Sequence, residues 1–83
     1  MTHQEILNKL QLAFDDTFVA PVKVTDSLSA ADLDEWSSVQ HISLIMTVEN
    51  MFGVRFRVGE VEATRNVGEL ADVIQWRLAA AAQ

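Results

Sequence analysis

The stretch "DEWSSVQHISLIMTVENMFG", residues 34–53, decides how this chain folds. Within it Val39, Ile42, Ile45, Met46, Val48 and Phe52 recur at three- and four-residue intervals, the period of an α-helix with an unusually wide apolar face. Leu44 broadens that face further, so the helix is expected to sit centrally among its neighbours and to run from about Ser38 to Met51. Ser37 suits the N-cap, where a hydroxyl accepts a backbone N–H that has no partner inside the helix. Gln40, three residues on, completes a capping-box pattern. Gly53 is placed to end the helix in the left-handed conformation.

Similar punctuation lies on both sides. Thr2 and Glu5 form a capping-box pattern ahead of Ile6, Leu7, Leu10, Phe14 and Phe18, which gives a first helix ending near Thr17. Asn8, Lys9, Gln11, Asp15 and Asp16 fall mostly on its other side. Pro21 biases Ala20 away from helical angles, which starts a long loop. Leu28, Leu33 and Trp36 are apolar anchors for that loop, and Ser29 with Asp32 marks one short helical turn. After Gly53, "VRFRV" reads as an extended link with Arg55 and Arg57 facing outward, and "EVEAT", residues 60–64, as a short helix. Asn66 and Glu69 repeat the capping pattern before Val67, Leu70, Ala71, Ile74 and Leu78, a last amphipathic helix that ends in the tail at residues 79–83. Trp76 on it is expected to be partly buried. The expectation is an all-α, small four-helix bundle: three longer helices, one short one, and a long loop after the first.

Eighty-three residues without internal repeats form a single domain, 1–83, whose 49% hydrophobic and 22% charged content is that of a globular chain. A net charge of −6 cannot neutralise a row of phosphates and argues against nucleic acid as a partner. No run approaches the roughly 20 apolar residues of a membrane span, and no basic segment precedes an apolar one at the N-terminus. No membrane association and a cytoplasmic location are therefore expected. Charge is also unevenly spread. Residues 29–51 hold Asp32, Asp34, Glu35 and Glu49 with no Lys or Arg, whereas residues 52–65 hold Arg55, Arg57 and Arg65 against Glu60 and Glu62. An acidic segment beside a mixed one suits either basic partners or a solvated face.

Little in the chain is reactive. Without cysteine there is no disulfide, no thiolate metal site and no thiol nucleophile. His3 and His41 lie far apart and lack ligand spacing, so no metal site is expected. Ser38 and His41 are three apart on one helix and adjacent on its surface. Helical neighbours diverge outward, however, and so small a bundle supplies no oxyanion pocket. The reading is a non-enzyme.

The order of long loop, Trp36, Ser37–Ser38, apolar helix and Glu49-x-x-Phe52-Gly53-Val54 resembles the acyl carrier protein family, over nearly the whole chain. That family is a four-helix bundle with a long first loop. Its second helix begins at Asp-Ser-Leu and ends in a Glu-rich stretch followed by Phe-Gly-Ile or Phe-Gly-Val. Counting back without gaps from Phe52, Gly53 and Val54 puts Glu49 on the family's glutamate and Ser38 on its serine. Trp36 and His41 match a common variant, Trp-Asp-Ser-Leu-x-His, and "NVGELADVI" resembles the start of the family's final helix.

The resemblance implies that Ser38 carries 4′-phosphopantetheine through a phosphodiester, and that acyl groups ride on the arm as thioesters. A thioester carrier needs a thiol, which in this cysteine-free chain arrives only with the prosthetic group. Implied partners are a phosphopantetheinyl transferase and enzymes that load or use the acyl group, of ligase, ketosynthase or acyltransferase type, in fatty-acid, polyketide or specialised acyl biosynthesis. They would dock on Trp36, Ser37, Val39, His41, Glu49 and the acidic loop of a stand-alone monomer. Ile42, Met46 and Val48 are expected in the core, Trp36 as a loop anchor, and His41 at the surface beside the arm or a partner. Two residues depart from the pattern: Ser37 replaces the family's aspartate, and Val39 its leucine. Ser37 keeps the cap but lacks a carboxylate that in carrier proteins contributes to recognition by the transferase. The departure supports an alternative, an unmodified degenerate carrier fold that acts as a protein-interaction domain.

Overall fold

Helix α1 (His3–Thr17) starts where the capping box predicts. The Thr2 hydroxyl accepts the Glu5 N–H (3.2 Å), and the Glu5 carboxylate accepts the Thr2 N–H (2.9 Å). The structure is a computed structural model and describes residues 2–57, 59–61 and 63–81. A single-turn 3₁₀ helix (Ala30–Asp32), α2 (Ser38–Phe52) and α3 (Val67–Ala81) follow. Among the described residues the chain is all-helical, with no strand. Among the described residues no helix is long and apolar enough to cross a membrane.

The core forms around α1. Ile6, Leu10, Ala13 and Phe14 have no solvent exposure, and Leu7 and Phe18 extend the same apolar surface. Helix α1 packs against both α2 and α3, so α1 is the central helix, not α2 as the width of its apolar pattern suggested. Helix α2 contributes Leu44, Val48 and Phe52, a single stripe at four-residue spacing. Its other apolar row faces outward: Val39 is 73% exposed, Ile42 60% and Met46 59%. Of the three residues expected in the core, Val48 is there, while Ile42 and Met46 are not. A straight helix that leans on one neighbour can bury only the stripe facing it. From α3, Val67, Leu70, Ala71 and Ile74 enter the core as the period predicts, with Leu78 packed against it. Trp76, expected to be partly buried, stands 61% exposed on the opposite face, with the Arg77 guanidinium 4.9 Å over its ring.

The long loop between α1 and α2 is held by side chains that accept or donate for its backbone. The Gln11 amide donates to the Val22 carbonyl (2.6 Å) and accepts the Val24 N–H (2.9 Å). The Glu35 carboxylate accepts the N–H groups of Val19 (2.9 Å) and Ala20 (3.4 Å). Buried Val22 and Leu28 anchor the loop's middle in the core, and half-buried Leu33 and Trp36 anchor its end. The loop also caps α3. The carbonyls of Leu28 and Asp26 accept the Val67 and Gly68 N–H groups at 2.8 and 2.9 Å, and Asn66 Oδ1 accepts the Glu69 N–H at 2.9 Å.

Gly53 closes α2 at φ 67, as expected. Residues 60–64, expected as a short helix, form turns among their described members. The Ala63 and Thr64 N–H groups donate to the carbonyls of Gly59 (3.2 Å) and Val61 (3.0 Å), and Gly59 sits at φ 85. The Glu60 carboxylate accepts the Arg57 N–H (3.3 Å) and the Arg77 guanidinium of α3 (2.7 and 3.0 Å). The left-handed Gly59 and the bonds of Glu60 to Arg57 and Arg77 hold this segment in turns. Among the described residues the short helix lies instead in the first loop, at the turn expected from Ser29 and Asp32. Val58 of the extended link, Glu62 of the expected short helix and residues 82 and 83 of the tail lie outside the described residues.

Candidate attachment site at the start of α2

Ser37 and Ser38 are separated in role by one step of the chain. Ser37 is the N-cap: its backbone is extended (φ −83, ψ 176), and its hydroxyl accepts the Gln40 N–H at 3.4 Å. The reciprocal half of the expected box does not form, because the Ser37 N–H donates to the Glu35 carbonyl at 2.9 Å. Ser38 is the first helical residue, exposed, and its hydroxyl makes no hydrogen bond among the described residues. No acidic side chain occupies this first turn. The positive end of the helix dipole beside Ser38 is therefore not offset by a carboxylate in that turn.

The wall behind Ser38 is aromatic. Trp36 is half-buried, edge-on to Phe14 (centroids 5.3 Å apart, planes at 85°) and tilted against Phe18 (6.0 Å, 61°). Its indole Nε1–H donates to His41 Nδ1 at 3.0 Å, with the two ring planes 21° apart. Trp36 is thus the loop anchor expected from the sequence. His41, expected at the surface, is half-buried against it. A groove of about 380 Å³ runs over Ala30, Trp36, Ser37, Ser38, His41 and Ile42. His41 and Ile42 also wall an adjoining apolar groove of about 240 Å³ with Ile45, Met46, Phe56 and Val61, edged by Glu49 and Arg57.

The structure brings Trp36, Ser37, Ser38, Val39 and His41 together at one end of α2 and leaves Glu49 at the other. The Glu49 carboxylate accepts the Phe56 N–H at 2.9 Å, so it fixes the link that leaves the helix. The acidic loop is also largely engaged: Asp32 accepts the Ser29 N–H (3.0 Å) and Glu35 holds Val19 and Ala20. Asp34 is exposed. Ile42 and Met46 are the residues that sequence reasoning missed at this face. The signal was the second apolar row of α2, at the same spacing as the first. Among the described residues no group of three His, Cys, Asp or Glu side chains is placed to hold a metal ion.

The chain is 28% identical over 81 residues to acyl carrier protein 2 of Ralstonia nicotianae, and 33% identical over 81 residues to the acyl carrier protein of Thermosynechococcus vestitus. Each match covers 96% of this chain and the whole of the relative. This chain belongs to the acyl carrier protein family. Its fold agrees: the solution structure of the holo acyl carrier protein of Geobacter metallireducens superposes with a TM-score of 0.76 at 32% identity, over 98% of this chain and 90% of that one. No protein-family model matches the chain. Acyl carrier proteins are carriers and not enzymes, and they work by meeting biosynthetic enzymes. A carrier's site is judged by accessibility, and Ser38 stands accessible between an engaged cap and an exposed apolar row.

Proposed function

We propose that Ser38 is the attachment point of 4′-phosphopantetheine, and that the protein presents acyl groups on that arm to biosynthetic enzymes in the cytoplasm as a monomer. One observation carries this reading: of the two adjacent hydroxyls, Ser37's is consumed as the helix cap, while Ser38's is exposed and unpartnered among the described residues. The surroundings fit the group. First-turn N–H groups and the helix dipole favour a phosphate on Ser38, and the groove beside it has room for a chain. When bound, the arm supplies the thiol that this cysteine-free sequence lacks.

In loading, the Ser38 oxygen attacks the pantetheine-side phosphorus of coenzyme A. An O–P bond forms, the bond to adenosine 3′,5′-bisphosphate breaks, and the serine proton passes to the transferase. The chain's own task is to hold that oxygen clear of the backbone and to offer a surface. Val39, Ile42 and Met46 form an exposed apolar row leading away from Ser38, with Trp36, Ser37 and His41 at its head. A phosphopantetheinyl transferase and enzymes of ligase, ketosynthase or acyltransferase type dock there. Glu49 edges the far end of that surface, with its carboxylate tied to Phe56.

The test is an intact mass after incubation with coenzyme A and a broad-specificity transferase. A phosphopantetheine-sized gain in the wild type and in Ser37→Ala, absent in Ser38→Ala, is the expected result. No gain with any transferase, including the cognate one, leaves the unmodified interaction domain, which the missing aspartate at Ser37 favours.

A further inference from the structure

His41 stands one helical turn after Ser38, and its geometry defines which of its nitrogens is a donor. The Trp36 indole nitrogen has no acceptor capacity, so at 3.0 Å from His41 Nδ1 it must be giving its proton to an unprotonated nitrogen. The neutral imidazole then carries its hydrogen on Nε2. Both rings are immobilised, since Trp36 is braced by Phe14, which is wholly buried, and by Phe18. Helical side chains lean toward the helix N-terminus, and the bond to Trp36 pulls His41 the same way, toward the end where Ser38 sits. Nε2 has no acceptor among the described residues and borders the groove that holds Ser38, so its hydrogen is available to a group placed there.

The ring also borders more than one recess. It lines the groove that contains Ser38, the apolar groove beyond Ile42, and a small cavity of about 70 Å³ shared with Ser29, Thr64 and Arg65. Charged groups bordering those recesses are Arg65 on the link, Arg57 further along it, and Glu49 on α2. None of them is hydrogen-bonded to the imidazole among the described residues.

We propose that the Trp36–His41 pair is a tautomer lock that presents His41 Nε2–H as a hydrogen-bond donor to a phosphodiester oxygen of the group on Ser38. His41 is then a binding residue for the base of the arm, and Trp36 a positioning residue that acts through it. This assignment rests on the attachment reading. A donor at that point fixes the direction in which the arm leaves the helix and steers it along the two grooves that share His41 and Ile42.

Nitrogen-15 NMR of the histidine rings and phosphorus-31 NMR of the loaded protein test this together. In the unloaded protein, neutral His41 is expected as the Nε2–H tautomer, and Trp36→Phe, which keeps the packing and removes the donor, is expected to give a mixture of tautomers. In the loaded protein, the phosphorus resonance is expected to differ from that of His41→Ala, which has no donor, and to be largely restored in His41→Gln, whose amide offers a donor near the Nε2 position. An Nδ1–H tautomer in the wild type, or a phosphorus resonance that His41→Ala leaves unmoved, overturns the assignment alone. Loading is checked first by mass, so a failure to load overturns the attachment reading and this assignment with it.

Discussion

At the scale of single residues, two hydroxyls one position apart have different work because only one can serve as the cap. Ser37 Oγ accepts the Gln40 N–H, and removing it leaves that donor to water. Ser37→Ala is expected to cost about 1 kcal/mol of stability, read from denaturant midpoints, while the protein still accepts the prosthetic group. Ser37→Asp keeps the cap and restores the carboxylate common in the family. It is expected to load faster than wild type, as a time course of the mass gain would show. Gly68 is a second residue whose identity is dictated locally. A Cβ there would lie 2.9 Å from Asp26 Oδ1 and 3.0 Å from the Asp26 carbonyl that accepts the Gly68 N–H. Side chain and backbone of the loop would both have to yield, so Gly68→Ala is expected to destabilise by about 1–3 kcal/mol despite its better helix propensity.

At the scale of elements, α2 is a helix with two apolar rows, and α1 is the helix against which it chiefly packs. Leu44, Val48 and Phe52 face α1, and Val39, Ile42 and Met46 face out. A charge placed on the outer row meets water in the free protein and an apolar partner in a complex. Ile42→Asp is therefore expected to leave the melting temperature within a degree or two. It should slow loading by the transferase about tenfold or more, since desolvated apolar anchors carry much of an interface's energy. Equal loading rates for the two proteins would remove Ile42 from the docking surface. The helix starts were legible in the sequence because Thr2, Ser37 and Asn66 each accept the N–H three residues on, a local interaction. Which row of α2 is buried was not legible, because both rows read as apolar at helical spacing and only the position of α1 distinguishes them. Trp76 failed for the same reason. Gln11, Glu35 and Glu49 looked like solvated polar residues, yet each holds loop or link backbone across 7 to 16 residues of sequence, a pairing no local pattern announces. At the site, Ser38, Ser37, Trp36 and His41 were legible from their spacing in the motif. The hydrogen bond that joins Trp36 to His41 was not, since it depends on the indole being braced by α1.

At the scale of the whole molecule, three elements meet at His3. This residue opens α1, and its imidazole lies 2.6 Å from Asp26 of the long loop and 3.5 Å from Asp72 of α3. The hydrogen bond to Asp26 raises the His3 pKa above its ordinary value, partial burial opposes the rise, and the charges of Asp26 and Asp72 add to it. A group whose folded pKa is raised stabilises fully below its unfolded pKa and loses that contribution as pH climbs through the folded one. The wild type is thus expected to keep its stability advantage over His3→Gln below the ordinary histidine pKa of about 6.5 and to lose it as pH rises above that value. Thermal melts of the two proteins across that range check this, and a constant difference would mean that the clasp holds no proton. The net charge of −6 counts the histidines as neutral, so losing the His3 proton also adds negative charge to the bundle, and both effects loosen it in the same direction. Glu60 has the opposite sign. Its pKa is lowered, first by the hydrogen bond from Arg77, so its contribution is present above the ordinary carboxylate range and fades on acidification. On this framework the proposed loading uses one oxygen, that of Ser38, and locating the modification tests it. After incubation with coenzyme A and a transferase, fragmentation of the peptide spanning residues 34–53 is predicted to place the whole phosphopantetheine increment on Ser38. An increment on Ser37 or on any other hydroxyl, or no increment at all, would contradict it.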